Sequence, residues 1–259
     1  MNDILVLKLG GMFLHSDTAI HNFFTCLKDL YKRKNKKILI VHGGEFLAKK
    51  IFYNTTVLKE NDFFANYSYE NNINNYHKVS IFHGIINSFL LKYANLYDIP
   101  VIGLRCTDEN MIVIKKKVGT NDFDFHLNSR KLLEYFLDRQ VIPIISPCGI
   151  TQDNLLINLD SDIVSMLLTK LLYSKLIVLT DVSGVLNGKG REIKQLNLYD
   201  SDRLIREGVI NQGMIVKVQS ALEAAKYTKN VVKITSWLNL STLKQIFYND
   251  TIGTSILYE

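Results

Sequence analysis

Residues 4–11 read Ile4-Leu5-Val6-Leu7-Lys8-Leu9-Gly10-Gly11, an apolar run broken by one lysine and closed by a glycine pair. A run without strict alternation predicts a strand covered on both faces, as in parallel sheets. The glycine pair predicts a turn in which backbone N–H groups can approach an anion closely. The same pattern recurs at Lys37–His42, which leads into Gly43-Gly44, and at Lys175–Thr180, which leads into Asp181-Val182-Ser183-Gly184. One such turn is ordinary in any α/β domain, where glycine can serve geometry alone. Three at the carboxyl ends of strands point to a ligand site, because open α/β sheets bind ligands there.

Working outward, further strands are predicted at Val101–Leu104, Met111–Lys115, Val141–Ser146 and Val231–Ile234. Apolar residues at three-and-four spacing predict helices over Asp17–Lys32, His77–Tyr97, Ser129–Arg139, Asp160–Leu172 and Gly213–Thr228. Strands alternating with amphipathic helices give an α/β class with a largely parallel sheet. No Pro/Gly/Ser linker and no internal repeat divides the chain, so one domain over 1–259 is expected. Within it a soft boundary separates a lobe at 1–173 from a lobe at 174–259, the two sharing one sheet. The segment Leu58–Asn75 has neither period and reads as a surface loop or a lid.

The chain has 259 residues, 47% apolar and 22% charged, which is long enough for a large core and unlike collagenous or disordered compositions. Its formal net charge of +6 raises a nucleic-acid reading. The lysines are dispersed, however, and the clusters Lys32-Arg33-Lys34-Asn35-Lys36-Lys37 and Lys115-Lys116-Lys117 carry no interleaved aromatics, so solvated surface lysines are expected and no nucleic-acid partner. Cys26, Cys106 and Cys148 are odd in number and far apart, which fits reduced thiols in a cytoplasmic protein. No 18-residue apolar run and no secretory h-region are present, so no membrane partner is expected.

Several phosphate and catalytic motifs are excluded by reading. Gly184-Val185-Leu186-Asn187-Gly188-Lys189-Gly190 is one residue short of a Walker A loop and lacks the hydroxyl residue after its lysine. GxGxxG opening a helix, HRD with DFG, HExxH and GxSxG are all missing. Of the histidines only His42 sits in a motif, at the end of a buried strand, where a hydrogen-bonded structural role is expected.

The ordered set KLGG at 8–11, VHGG at 41–44, NLDSD at 158–162, LTDVSGVLNGKG at 179–190 and EGVINQGMIVKV at 207–218 resembles the amino-acid kinase family, and within it most closely the N-acetylglutamate kinases. The resemblance runs from Lys8 to the terminal Gly253-Thr254-Ser255-Ile256-Leu257. It implies an open three-layer α/β/α sandwich, with the amino-acid substrate and a homodimer contact on the N-terminal lobe and ATP on the C-terminal lobe. It also implies transfer of the ATP γ-phosphoryl to the side-chain carboxylate of N-acetylglutamate in arginine biosynthesis, with Mg2+ accompanying the nucleotide and no protein metal cage.

The residues that match the family pattern take roles by that resemblance. Lys8 and Lys217 would neutralise the transferring phosphoryl and the leaving phosphate, and Asp162 would organise the two lysines. Its other reading is a helix N-terminal acid favoured by the dipole. Gly10, Gly11 and Gly44 would offer backbone N–H groups to the phosphoryl, while Gly43, Gly44 and Asn158 would hold the acceptor acid. Asp181, Val182, Ser183, Gly184, Val185 and Leu186, with Val209, Ile210 and Asn211, align with the nucleotide-binding segments.

Two positions depart from the family pattern. Glu45 stands where a third glycine is usual after His42, adding a carboxylate beside a site that must accept two anions. Asn66 stands in Phe64-Ala65-Asn66-Tyr67-Ser68 where the family has a substrate-gripping arginine, and an asparagine cannot offer a bidentate cationic fork. An ATP-binding member that has lost its activity, and a kinase for another small carboxylate or carbamate, are therefore the competing expectations. The start of the chain close to its first strand also predicts insensitivity to arginine, because arginine-sensitive relatives carry an extra N-terminal helix.

Overall fold

The structure is a computed structural model that describes residues 4–33, 36–44, 73–120, 122–238, 240–248 and 252–258. Its first strands follow from the apolar runs: β1 (Ile4–Leu9) pairs in parallel with β2 (Lys37–His42) on one side and with β9 (Lys175–Thr180) on the other. Outward from β2 lie β6 (Ile142–Ser146) and β3 (Val101–Arg105), both parallel. Outward from β9 lie β11 (Val232–Ser236), β12 (Thr254–Ile256) and β10 (Gln195–Leu196). The sheet therefore has the order β10-β12-β11-β9-β1-β2-β6-β3, and β11 with β12 is its antiparallel pair.

Side chains on a strand alternate between faces, and here each face has its own core. Ile4, Val6, Leu39, Val41, Leu176 and Val178 pack on one side with helices α3 (Lys131–Asp138), α4 (Ser161–Leu172) and α6 (Gln212–Thr228). Leu5, Leu7, Leu9, Ile38, Ile40 and Ile177 pack on the other with α1 (Asp17–Lys32), α2 (Ile73–Leu96) and α7 (Leu240–Tyr248). The result is the three-layer α/β/α sandwich expected, with a largely parallel sheet.

The remaining elements differ from the sequence reading. Met111–Lys115 was expected as a strand among the others, and β4 (Ile112–Lys116) instead pairs antiparallel with β5 (Phe123–Leu127) in a hairpin outside the main sheet. A second short hairpin joins β7 (Cys148–Ile150) to β8 (Leu156–Asn158) and carries the chain into α4. Helices α5 (Leu198–Arg206) and α7 were not predicted. Glu45, Asn66 and nearly all of Leu58–Asn75 lie outside the described residues; the last three residues of that segment open α2.

Candidate active site

The same alternation that builds two cores decides where Lys8 goes. It shares the parity of Ile4 and Val6, so its side chain points to the face covered by α4 and α6 rather than to α1. β1 is flanked by β2 and β9, with Lys8 opposite Val41 and Val178, so the ammonium is carried into the middle of the molecule. There it meets Asp162, the second residue of α4, at 2.7 Å between Nζ and Oδ1, with side chains 3% and 4% exposed. The other carboxylate oxygen of Asp162 accepts from Lys217 Nζ at 2.9 Å.

Lys217 lies on the second turn of α6, a helix packed directly against α4. Asp162 stands in the first turn of α4, as the dipole reading expected, and Asp160 precedes it as the cap. Asp160 Oδ1 accepts from the Asp162 N–H at 2.7 Å. The carboxylate of Asp162 pairs with the two lysines.

Burial opposes the charge on Asp162, but the adjacent Lys8 and Lys217 ammonium groups outweigh it and hold the carboxyl below the usual aspartate range. Burial likewise pushes the Lys8 ammonium below the usual lysine value; Lys217 adds to that shift and Asp162 opposes it. A carboxylate shared by two lysines, with one cation at 3% exposure and the other at 19%, puts a net positive charge at the edge of a cavity. Perturbed charges gathered in a cleft mark functional sites more often than stabilising ones.

Two glycine turns form another part of the cavity wall. A Cβ at Gly11 would lie 3.1 Å from Gly44 N, and one at Gly43 would lie 3.3 Å from Gly11 N, so the turns after β1 and β2 approach this closely only because side chains are missing. Gly44 also adopts φ 140°, a backbone region that other residues rarely enter. The three N–H groups expected to face an anion differ in fact. Gly10 N–H donates to Leu179 O at 3.0 Å, tying the turn to β9. Within the described residues the Gly11 and Gly44 N–H groups have no such acceptor.

Lys8, Gly11, Gly43, Gly44, Asn158, Asp162 and Lys217 line one cavity of about 400 Å³. The structure thus brings together residues from β1, β2, β8, α4 and α6, separated widely in sequence. The side-chain Oδ1 of Asn158 is buried there without a hydrogen-bond partner among the described residues, an acceptor available to a ligand. His83 of α2 also lines the cavity, with its ring 5.7 Å from that of His42, and the sequence reading missed it. The available signal was a polar pair, His83 and Asn87, at i and i+4 on a largely apolar helix.

Asp181–Leu186 and Val209–Asn211 are not among the residues lining that cavity. They lie near each other instead: a Cβ at Gly188 would sit 3.8 Å from Val209 Cγ2, and Val185 and Ile210 share a core. Val185 and Ile210 are buried, so these segments can present backbone and the side chains of Asp181, Ser183 and Asn211, which are exposed. Val185 N–H donates to Thr254 Oγ1 at 2.8 Å, and that hydroxyl donates to Ile193 O at 2.6 Å. Asn211 is the N-cap residue of α6, the helix that carries Lys217.

Among the described residues no group of three His, Cys, Asp or Glu side chains could hold a metal ion. No described helix is long and apolar enough to cross a membrane.

Comparison with known proteins places the chain in a family. The sequence model of the amino acid kinase family matches residues 3–236. The acetylglutamate kinase of Buchnera aphidicola subsp. Schizaphis graminum is 35% identical over 261 residues, covering 98% of each chain. The enzyme of the same name from Photorhabdus laumondii is 32% identical over 263 residues, again covering 98% of each. Among solved structures, carbamate kinase from Giardia lamblia bound to AMP-PNP has a TM-score of 0.70 at 18% identity, covering 100% of this chain and 99% of that one, a likeness of fold.

Proposed function

This chain belongs to the amino acid kinase family, and from that premise we propose that it is an acetylglutamate kinase, moving the γ-phosphoryl of ATP onto the side-chain carboxylate of N-acetylglutamate in arginine biosynthesis. The observation that carries the reading is the Lys8–Asp162–Lys217 cluster at the edge of a glycine-walled cavity, taken with the full-length likeness to enzymes of that name.

The chemistry explains the residue types. A carboxylate acceptor is already ionised at neutral pH, so no general base is needed. The obstacle is to bring two anions into line, and phosphoryl transfer meets it by positioning and charge neutralisation. Lys8, pinned from below by Asp162, and Lys217, more open to the cavity, supply the positive charge from two elements. The Gly11 and Gly44 N–H groups add preorganised donors on another part of the wall. Asn158, with its unpaired Oδ1, would take an N–H of the acceptor, as an acetamido group offers. Asp181–Leu186 and Val209–Asn211 would hold the nucleotide on the 174–259 lobe, and the 1–173 lobe would hold the acceptor.

Mg2+ would enter with the phosphates of ATP and neutralise their charge. The donor set fits that role: among the described residues no cluster of His, Cys, Asp or Glu stands ready as a cage, and both oxygens of Asp162 are paired with lysines. A cytoplasmic homodimer accords with the resemblance, and sedimentation of the purified protein tests the assembly. A substrate panel tests the reading itself: ADP release should be fastest with N-acetylglutamate, and faster turnover of glutamate, aspartate or carbamate would replace it with a kinase for another acid.

A further inference from the structure

The second glycine turn is held from behind by a buried polar chain that the reaction itself does not use. Asn87 of α2, 8% exposed, places its side-chain nitrogen 2.9 Å from Ile144 O and 3.3 Å from His42 Nε2. The other ring nitrogen, His42 Nδ1, lies 3.0 Å from Gly43 O. Room for the amide comes from Gly103 on β3, where a Cβ would collide with Asn87 Oδ1.

The protons in this chain can be assigned by elimination. Ile144 O only accepts, so the amide NH2 faces it, and the same NH2 can only donate to His42 Nε2. Burial, with His83 adding in the same direction and the Gly43 hydrogen bond opposing, drives the His42 pKa down to about 3, so the ring is neutral and carries one proton. With Nε2 accepting, that proton sits on Nδ1 and is donated to Gly43 O.

The Gly43–Gly44 peptide is trans, so its C=O and N–H point in opposite directions. Holding the carbonyl toward His42 turns the Gly44 N–H the other way, on the side where Gly44 lines the cavity with Gly11 and Lys8. A flipped peptide would present a carbonyl oxygen there, repelling any anion. Glycines on both sides of the bond make such a flip sterically cheap, so the orientation needs an external hold.

We infer that Asn87 and His42 are positioning residues that lock the Gly43–Gly44 peptide with its N–H toward the transferring phosphoryl. The inference rests on the kinase reading above for the identity of the anion, and on geometry alone for the lock.

The first test needs no activity. Nitrogen-15 NMR of the imidazole in the unliganded protein at pH 7 should show His42 neutral and protonated on Nδ1; an Nε2–H ring overturns the lock. Kinetics then separate positioning from mere structure. His42→Leu should lower kcat about a hundredfold, the scale of one lost transition-state donor, with the KM for ATP changed less than about threefold. His42→Asn, whose amide can donate from the Nδ1 position, should stay within about tenfold of the native rate. Asn87→Leu should cost about tenfold, and combining it with His42→Leu should cost no more than His42→Leu alone, because both act through one peptide. Additive losses, or native rates in both single variants, overturn the inference. A native protein without kinase activity would instead overturn the functional reading, and the NMR result would still decide the lock.

Discussion

Lys8 Nζ and Asp162 Oδ1 lie 2.7 Å apart at the centre of the molecule, with side chains 3% and 4% exposed. Removing Asp162 leaves two ammonium groups, one of them 3% exposed and the other 19%, without their shared counter-charge. Asp162→Ala should therefore destabilise the protein by about 3–5 kcal/mol in urea unfolding, far more than an exposed pair such as Lys28–Asp98 would cost.

The same pair gives a pH dependence with a definite sign. The folded-state pKa of Asp162 lies below its ordinary 3.8, so the unfolded chain takes up the proton first as pH falls. Its contribution to stability is complete above the unfolded value and is lost as pH drops through the folded one. Stability measured from pH 5 down to pH 2 should fall less steeply in Asp162→Asn than in the native protein; an equal slope would remove Asp162 from the titration.

Lys217 is the more open of the two cations, 19% exposed, with Asp162 Oδ2 at 2.9 Å and Gly213 O of its own helix at 3.5 Å. Lys217→Ala should therefore lower kcat at least about a hundredfold while leaving the thermal transition nearly in place. An unchanged rate would take Lys217 out of the reaction.

Gly11→Ala probes the glycine part of the cavity wall. Its new Cβ would sit 3.1 Å from Gly44 N and 3.2 Å from Gly44 Cα, against a peptide whose N–H has no backbone acceptor within the described residues. Activity should drop about a hundredfold with a stability cost of about 1–3 kcal/mol, the usual range for overpacking. A variant with native kcat would show that the Gly44 N–H faces no phosphoryl.

Thr254 offers a test of the proposal that Asp181–Leu186 holds the nucleotide. Its hydroxyl accepts from Val185 N–H at 2.8 Å and donates to Ile193 O at 2.6 Å. Thr254→Val leaves the buried Val185 N–H unpaired, at about 1–3 kcal/mol, and removes the donor to the part-buried Ile193 O. The KM for ATP should rise at least about tenfold while the KM for the acceptor stays within about twofold, and Thr254→Ser should restore the native value, because it keeps both hydrogen bonds. A rise in the acceptor KM alone would move ATP elsewhere.

How much of this was legible in the sequence depended on the kind of signal. Buried parallel strands announce themselves as unbroken apolar runs, so β1, β2, β6 and β9 were readable to within a residue or so. β5, reading Phe123-Asp124-Phe125-His126-Leu127, alternates on a half-exposed hairpin, and β7, β8 and β12 span three residues each, too short for any period. α5 did carry a signal in Asn197, whose side chain caps Asp200 N–H, but its apolar stripe is thin.

The site divides in the same way. Lys8, Asp162, Lys217 and the glycines stand in motifs, so their types and order were visible. That Gly10 spends its N–H on Leu179 O was not, because the bond joins β1 to β9 across the sheet and no local pattern encodes it. Asn87 and His42 are likewise joined only by the packing of α2 against β2 and β6, and their distance in sequence hides the contact.

The most direct single measurement is hydroxamate trapping with purified protein, Mg-ATP and N-acetylglutamate, with Lys8→Ala run alongside. Hydroxamate should form with the native protein and vanish with the variant, which is what acyl-phosphate synthesis at this lysine cluster requires. Absence of product from native protein that demonstrably binds ATP would contradict the assignment and leave a nucleotide-binding protein or a kinase for a different acid.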